Sequence, residues 1–264
     1  MNNETIKRRD FVKLVLAGGV IMAGPRFLRR PDAKSEPEGE SPHRWAMVID
    51  QTKCTGCNNC TLACRANNDI SPDISWNQLL EDTHHNGQEP VYLPIPCMHC
   101  EHAPCVNVCP VKATYHRPDG IVMMDYDRCI GCRYCEMACP YGARSFNWVA
   151  FKEENPAVPE WGEPEIERRP RGVVEKCSFC YQRIDRGLAL GLTPGVDREA
   201  TPACVGACPM GARIFGDLND PDSPVSQVLD EYCAHQMRED LGTNPRVFYL
   251  HPVNKVEEAA SNEA

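Results

Sequence analysis

The stretch Cys54-Thr55-Gly56-Cys57-Asn58-Asn59-Cys60-Thr61-Leu62-Ala63-Cys64 sets four cysteines in a C-x2-C-x2-C-x3-C run. The same spacing returns at Cys129, Cys132, Cys135 and Cys139, and a near variant at Cys97, Cys100, Cys105 and Cys109. A fourth group, Cys177, Cys180, Cys204 and Cys208, is split by a long spacer. Cysteines two residues apart on a tight loop converge on one centre, and Gly56 and Gly131 allow backbone conformations there that larger residues resist. Four thiolates are the ligand set of one [4Fe-4S] cubane, so four groups supply the ligands for four clusters. Sixteen of the seventeen cysteines are used in this way.

The 264 residues suffice for one large domain or two small ones, and the charged and apolar fractions are those of an ordinary soluble protein. A cysteine content this high in an extracellular chain would usually signal disulfides, but the spacing points to metal. Paired C-x2-C motifs also make structural zinc sites, yet such sites have no use for the third cysteine of a C-x2-C-x2-C run. The formal net charge is −9 although residues 1–30 carry seven basic and two acidic residues, so the remainder is strongly acidic. Nucleic acid is therefore not an expected partner.

Groups one and three align at a constant offset: Asp50 with Asp125, Cys54 with Cys129, Gly56 with Gly131, Ala63 with Ala138, Cys64 with Cys139. Groups three and four share a tail, Ala138-Cys139-Pro140-Tyr141-Gly142-Ala143-Arg144 against Ala207-Cys208-Pro209-Met210-Gly211-Ala212-Arg213. The unit reads as a short strand, a cysteine loop, a short helix, a proline and another strand. Trp45 to Ile49 and Ile121 to Asp125 are the strands before loops one and three, and Arg117-Pro118-Asp119-Gly120 is a turn inside a hairpin over 113–125. The expected fold class is α+β: two ferredoxin-like double-cluster modules with small β-hairpins, short helices and long loops, whose metal is part of the core. Residues 65–96, residues 147–172 and the tail from Gly216 fall outside the repeats.

The chain opens with Lys7-Arg8-Arg9-Asp10-Phe11-Val12-Lys13 followed by an apolar run from Leu14 to Gly24. This resembles a twin-arginine export signal, whose pathway carries proteins already folded around their cofactors. The resemblance implies export and a periplasmic location, or one on the outer face of the cytoplasmic membrane. No A-x-A site follows, and Arg26, Arg29 and Arg30 lie just beyond the run, which leaves cleavage open. Residues 31–43, rich in Pro, Glu, Ser and Gly, read as a disordered linker. No apolar run is long enough to span a bilayer, so membrane attachment would come through a partner.

The order of the groups, C-x2-C-x2-C-x3-C, C-x2-C-x4-C-x3-C-P, C-x2-C-x2-C-x3-C-P and C-x2-C-x23-C-x3-C-P, resembles the four-cluster electron-transfer subunits of the dimethyl sulfoxide, polysulfide and tetrathionate reductase type over about residues 44–216. In two-cluster ferredoxins the fourth cysteine of one run ligates the cluster held by the other. The resemblance pairs group one with four and group two with three. It implies clusters held by Cys54, Cys57, Cys60 and Cys208; by Cys177, Cys180, Cys204 and Cys64; by Cys97, Cys100, Cys105 and Cys139; and by Cys129, Cys132, Cys135 and Cys109. The modules would be 44–96 plus 173–216 and 97–146, with 147–172 a surface insertion and 217–264 a C-terminal extension.

The implied function is a one-electron relay through four [4Fe-4S] clusters in anaerobic-type respiration. Its expected partners are a molybdopterin-type catalytic subunit and a membrane quinone-interacting or cytochrome subunit. The chain has no conventional catalytic set and no Gly-rich phosphate loop, so it is not expected to be an enzyme on its own. A free-standing exported polyferredoxin is the alternative.

Individual residues carry further expectations. His99 and His102 lie inside group two but are read as lying beside the cluster or at the surface, since that group already has four cysteines. His84 and His85 sit in a polar loop, and Cys233, in a helical-looking stretch, reads as a buried structural thiol. Lys53, Arg128 and Lys176 each precede the first cysteine of a group, where a positive charge either favours the reduced cluster or is merely solvated. Arg65 replaces the proline that follows the last cysteine elsewhere, which would loosen that turn. The 147–172 insertion is either a solvated loop or a docking surface.

Overall fold

The apolar run that opens the repeat, Trp45–Asp50, is a strand (β1) buried along its length in the computed structural model, which describes residues 41–82 and 90–251. A strand covered on both faces reads as an unbroken apolar run, not an alternation. Trp45, Met47 and Ile49 point into the main core among the cysteines, while Ala46 and Val48 pack with Val225 and Leu250. The export segment over 1–30, most of the 31–43 linker, and His84 and His85 lie outside the described residues.

Strand pairing follows the repeat. β1 pairs antiparallel with β8 (Arg213–Asp217), the strand after group four, with Met47 opposite Phe215. The hairpin read over 113–125 is present: β4 (Thr114–His116) follows group two, β5 (Val122–Met124) precedes group three, and Thr114 faces Met124. In both places a strand leaving one cysteine group lies beside the strand entering another. Two further pairs join these halves. β2 (Asn77–Asp82) pairs with β3 (Val91–Pro96), which leads into group two, and β6 (Ser145–Phe146) pairs with β7 (Val174–Glu175), which leads into group four.

The helices are short for a covalent reason. The prolines after Cys109, Cys139 and Cys208 lack an N–H and bar continuation, and the helices before them are single turns. In group one Arg65 stands in that place, and α1 (Asn59–Asn67) runs straight through Cys64. The missing proline therefore lengthens a helix instead of loosening a turn. The other helices are α2 (Pro104–Asn107), α3 (Tyr134–Met137), α4 (Tyr181–Ala189), α5 (Ala203–Gly206) and α6 (Pro224–Glu231).

Residues after Asp217 enter the main sheet. β10 (Val247–Leu250) lies parallel to β1 and antiparallel to β9 (His235–Gln236), giving the order β8-β1-β10-β9. Parallel neighbours need a crossover, and α6 lies within it, packing Val225 against Ala46 and Val48. The 147–172 segment is strapped to the body. Arg168 reaches Asp69 at 2.8 Å, Asn155 donates to the Arg65 carbonyl at 3.0 Å, and Arg169 pairs with Glu175 at 3.1 Å, both side chains buried. Trp148 and Val149 at its start remain exposed.

Candidate iron-sulfur centres

Each cysteine loop turns at the residue before its second cysteine. Gly56, His99, Gly131 and Phe179 occupy that position with φ of 71°, 45°, 70° and 54°. Glycine suits the left-handed region. At Gly56 a Cβ would strike the Tyr92 ring and at Gly131 it would lie 2.2 Å from the Gly172 carbonyl oxygen, so the loops of groups one and three are crowded there.

All seventeen cysteines are free of disulfides. Cys54, Cys57 and Cys60 line one cavity together with Cys208, a cysteine from the far end of the chain. Cys64 lies beside group four: the Asn68 amide donates to both Cys64 Sγ and Cys180 Sγ at 3.6 Å. Burial, then the nearby charges of Cys180, Cys177 and Cys204, push the Cys64 thiol up. Cys100 is pushed up to about 12 by burial and by Cys97, with Cys105 and Cys139 also close. Burial raises Cys135 too, with Arg144, Cys105 and Cys109 around it. Cys129 is half-buried and Cys132 exposed. Among the described residues no three His, Cys, Asp or Glu side chains form a group that could hold a single metal ion.

Thiols of different groups also feel one another's charge: Cys60 and Cys204, Cys177 and Cys97, and Cys105 and Cys135. The members of groups two and four are buried apart from Cys109 and Cys208, whereas Cys57 and Cys132 reach the surface.

The sulfurs are supplied with donors. Backbone N–H groups of Ala113, Ala212 and Phe179 point at Cys109, Cys208 and Cys177 at 3.2, 3.3 and 3.4 Å. Two buried guanidinium groups occupy equivalent repeat positions. Arg144 Nη2 donates to Cys105 Sγ at 3.0 Å and to Thr114 Oγ1 at 2.8 Å, and Arg213 Nη1 lies 3.7 Å from Cys204 Sγ. Burial works against the charge on both, but the surrounding thiols, Cys105 and Cys97 for one and Cys204 and Cys60 for the other, hold the guanidinium pKa above its usual range.

The sequence matches two domain families, each described as a 4Fe-4S dicluster domain, over residues 88–155 and 128–212. The iron-sulfur cluster-binding subunit of menaquinone reductase from Nitratidesulfovibrio vulgaris is 43% identical over 230 residues, 78% of this chain and 88% of that one. Iron-sulfur subunit 1 of an Hdr-like menaquinol oxidoreductase from Archaeoglobus fulgidus is 39% identical over 273 residues, covering 92% and 97%. The iron-sulfur subunit of the arsenate respiratory reductase of a Shewanella species is 38% identical over 238 residues, covering 78% and 96%. The chain belongs to this family of four-cluster iron-sulfur subunits.

As a member, it carries four [4Fe-4S] clusters and relays electrons within an oxidoreductase complex rather than catalysing a reaction itself. The relatives are subunits, which disfavours the free-standing polyferredoxin. The residues present fit the clusters. Besides the thiols and their donors, two buried N–H groups beside cysteines, Arg144 Nε and His99 Nε2, find no acceptor among the described residues, and cluster sulfur is the acceptor such sites provide. Because burial pushes thiols such as Cys100 and Cys204 up to about 12, iron has to offset that cost, and loading is coupled to folding.

Several residues read from the sequence find their places here. Lys53 is exposed and pairs with Asp50 at 3.1 Å, Arg128 is partly exposed near Asp125, but Lys176 is fully buried among Cys97, Cys177 and Cys105. His102 is exposed and His99 fully buried. Cys233 lies past the end of α6, half-buried. Arg144, Arg213 and Asn68 contact cysteine sulfurs and are candidates that the sequence reading misses, although the arginines recur at one position of the shared repeat tail.

Proposed function

We propose that this chain is a linear wire of four [4Fe-4S] clusters joining a molybdopterin-type catalytic subunit to a membrane quinone-interacting or cytochrome subunit. Each cluster takes up one electron and passes it on; the chain's own residues hold the iron, set the order and shift the potentials. The proposed ligand sets are Cys54, Cys57, Cys60 with Cys208; Cys177, Cys180, Cys204 with Cys64; Cys97, Cys100, Cys105 with Cys139; and Cys129, Cys132, Cys135 with Cys109. The observation that carries this exchange of fourth ligands is the cavity lined jointly by Cys54, Cys57, Cys60 and Cys208.

The charge felt between thiols of different groups supports the order group one, four, two, three, with the first and last clusters as terminals. Exposure agrees, since Cys57 and Cys132 reach the surface. Around the group-three loop Ile130, Tyr134, Met137 and Trp148 are exposed apolar side chains, and Arg133 lies over the Trp148 ring at 4.7 Å. Such a patch on a soluble chain suits a partner subunit. Among the described residues no helix is long and apolar enough to cross a membrane, in keeping with attachment through that partner. Export by the twin-arginine route, with the periplasmic side as destination, completes the proposal, resting on the motif at Arg8-Arg9.

Serine substitutions test the exchange. Cys208→Ser should alter the same EPR signal as Cys57→Ser, and Cys64→Ser the same signal as Cys180→Ser. If Cys208→Ser instead alters the signal affected by Cys180→Ser, the crossed ligand sets are wrong.

A further inference from the structure

The residue before the second cysteine separates the two inner loops from the two outer ones. Where groups one and three have Gly56 and Gly131, groups two and four have His99 and Phe179, both held at positive φ. A non-glycine residue in that region is strained, and strain of this kind persists where the side chain has a use.

The two side chains meet. Their rings stack with centroids 3.8 Å apart and 29° between planes, and both are fully buried. His99 comes from the loop between Cys97 and Cys100, Phe179 from the loop between Cys177 and Cys180, and Cys97 and Cys177 feel one another's charge. The stack therefore lies on the seam between the two inner cluster sites.

Val122 fixes the proton. Its N–H donates to His99 Nδ1 at 3.0 Å, and an imidazole that accepts at Nδ1 carries its hydrogen on Nε2. Lys176 secures the same residue from its other side, donating to the Val122 carbonyl and, at 2.6 Å, to that of Cys177. His99 Nε2 is left buried with no acceptor among the described residues. Orphaned buried N–H groups are rare because they are costly, and the acceptors this chain brings to the seam are the sulfurs of its clusters.

We propose that His99 donates its Nε2–H to sulfur of an inner cluster and, stacked on Phe179, forms the crossing between the two halves of the wire. The bond favours the more negative, reduced state of that cluster and raises its potential. This rests on the assignment of groups two and four to the inner clusters.

The test uses the native complex with [15N]histidine, reduced anaerobically and examined by ENDOR. The expected result is a 15N coupling on one inner-cluster signal that disappears in His99→Phe, a variant that keeps the ring and the stack. In a redox titration the same variant should make that cluster about tenfold harder to reduce, a fall of about 59 mV for one electron, with the two terminal clusters unmoved. His99→Gln, which keeps an N–H donor, should recover most of the shift. Absence of 15N coupling in fully loaded wild-type protein overturns the proposal, whether or not the variants load. Iron well below about sixteen per chain would count against the cluster assignment instead, so the two failures are distinguishable.

Discussion

Replacing Arg144 with methionine should lower the potential of the cluster that takes Cys105 as a ligand. The guanidinium is buried and donates to Cys105 Sγ at 3.0 Å, and methionine keeps much of the apolar stem while removing the charge and the fork. Two unit charges about 4 Å apart at an effective dielectric of about 20 attract by about 4 kcal/mol. The electron added on reduction is spread over the whole cubane, so about half of that, about 2 kcal/mol, bears on the reduction step. At about 1.4 kcal/mol, or about 59 mV, per tenfold for one electron, the potential should fall by about 80 mV. Arg144→Lys, which keeps the charge but loses the two-pronged donor, should fall by less than half as much. The assay is an anaerobic redox titration followed by EPR on the intact complex, with iron measured on the same sample. Full iron with a shift below about 20 mV would refute the reasoning, since it requires a site about fourfold better screened than assumed. Arg213→Met should act in the same sense on the cluster held by Cys204.

Three further outcomes follow from the same geometry. Removing iron with a chelator under reducing conditions should abolish cooperative unfolding and expose the chain to protease, because the cysteine sites are integral to the main core; a metal-depleted chain with native circular dichroism would contradict this. Gly131→Ala places a Cβ 2.2 Å from the Gly172 carbonyl oxygen at φ 70°, so the group-three signal should be lost while the other three persist. Asp69 is raised by burial but lowered more by hydrogen bonds from Arg168 and Asn155, leaving its carboxyl below the usual range. A depressed carboxyl contributes stability above its unfolded value of about 3.9 and loses it as pH falls through the folded value. Asp69→Asn should therefore speed proteolysis within 147–172 by a factor that is constant from about pH 8 to pH 5 and contracts only below about pH 4; a difference that vanishes near pH 6 would exclude this anchor.

The cysteine groups were legible because their spacing is a local property of the chain. Cysteine groups, their glycines, the hairpin over 113–125 and the strand at Trp45 all reflect constraints acting within a few residues. The pairing of β10 with β1 is not of that kind: Val247–Leu250 pairs with Met47–Asp50 from a distant part of the sequence, and nothing in its sequence names a partner. The three basic residues before the cysteine groups look alike in sequence, and only tertiary packing separates solvated Lys53 from buried Lys176. Arg144 and Arg213 are visible as a repeated Ala-Arg, but arginine is so often a surface residue that repetition alone does not reveal a donor to iron-bound sulfur. The group-one helix shows the converse: one absent proline, plain in the sequence, extends α1 and brings Asn68 onto Cys64 and Cys180.

The most direct test of the four-cluster wire is iron and acid-labile sulfide per chain, with zinc alongside and a spin count after full reduction, on the anaerobically purified native complex. The account predicts about sixteen iron and sixteen sulfide atoms, no stoichiometric zinc and four reducible clusters. Iron and sulfide near half those values in intact protein, or zinc without sulfide, would contradict it.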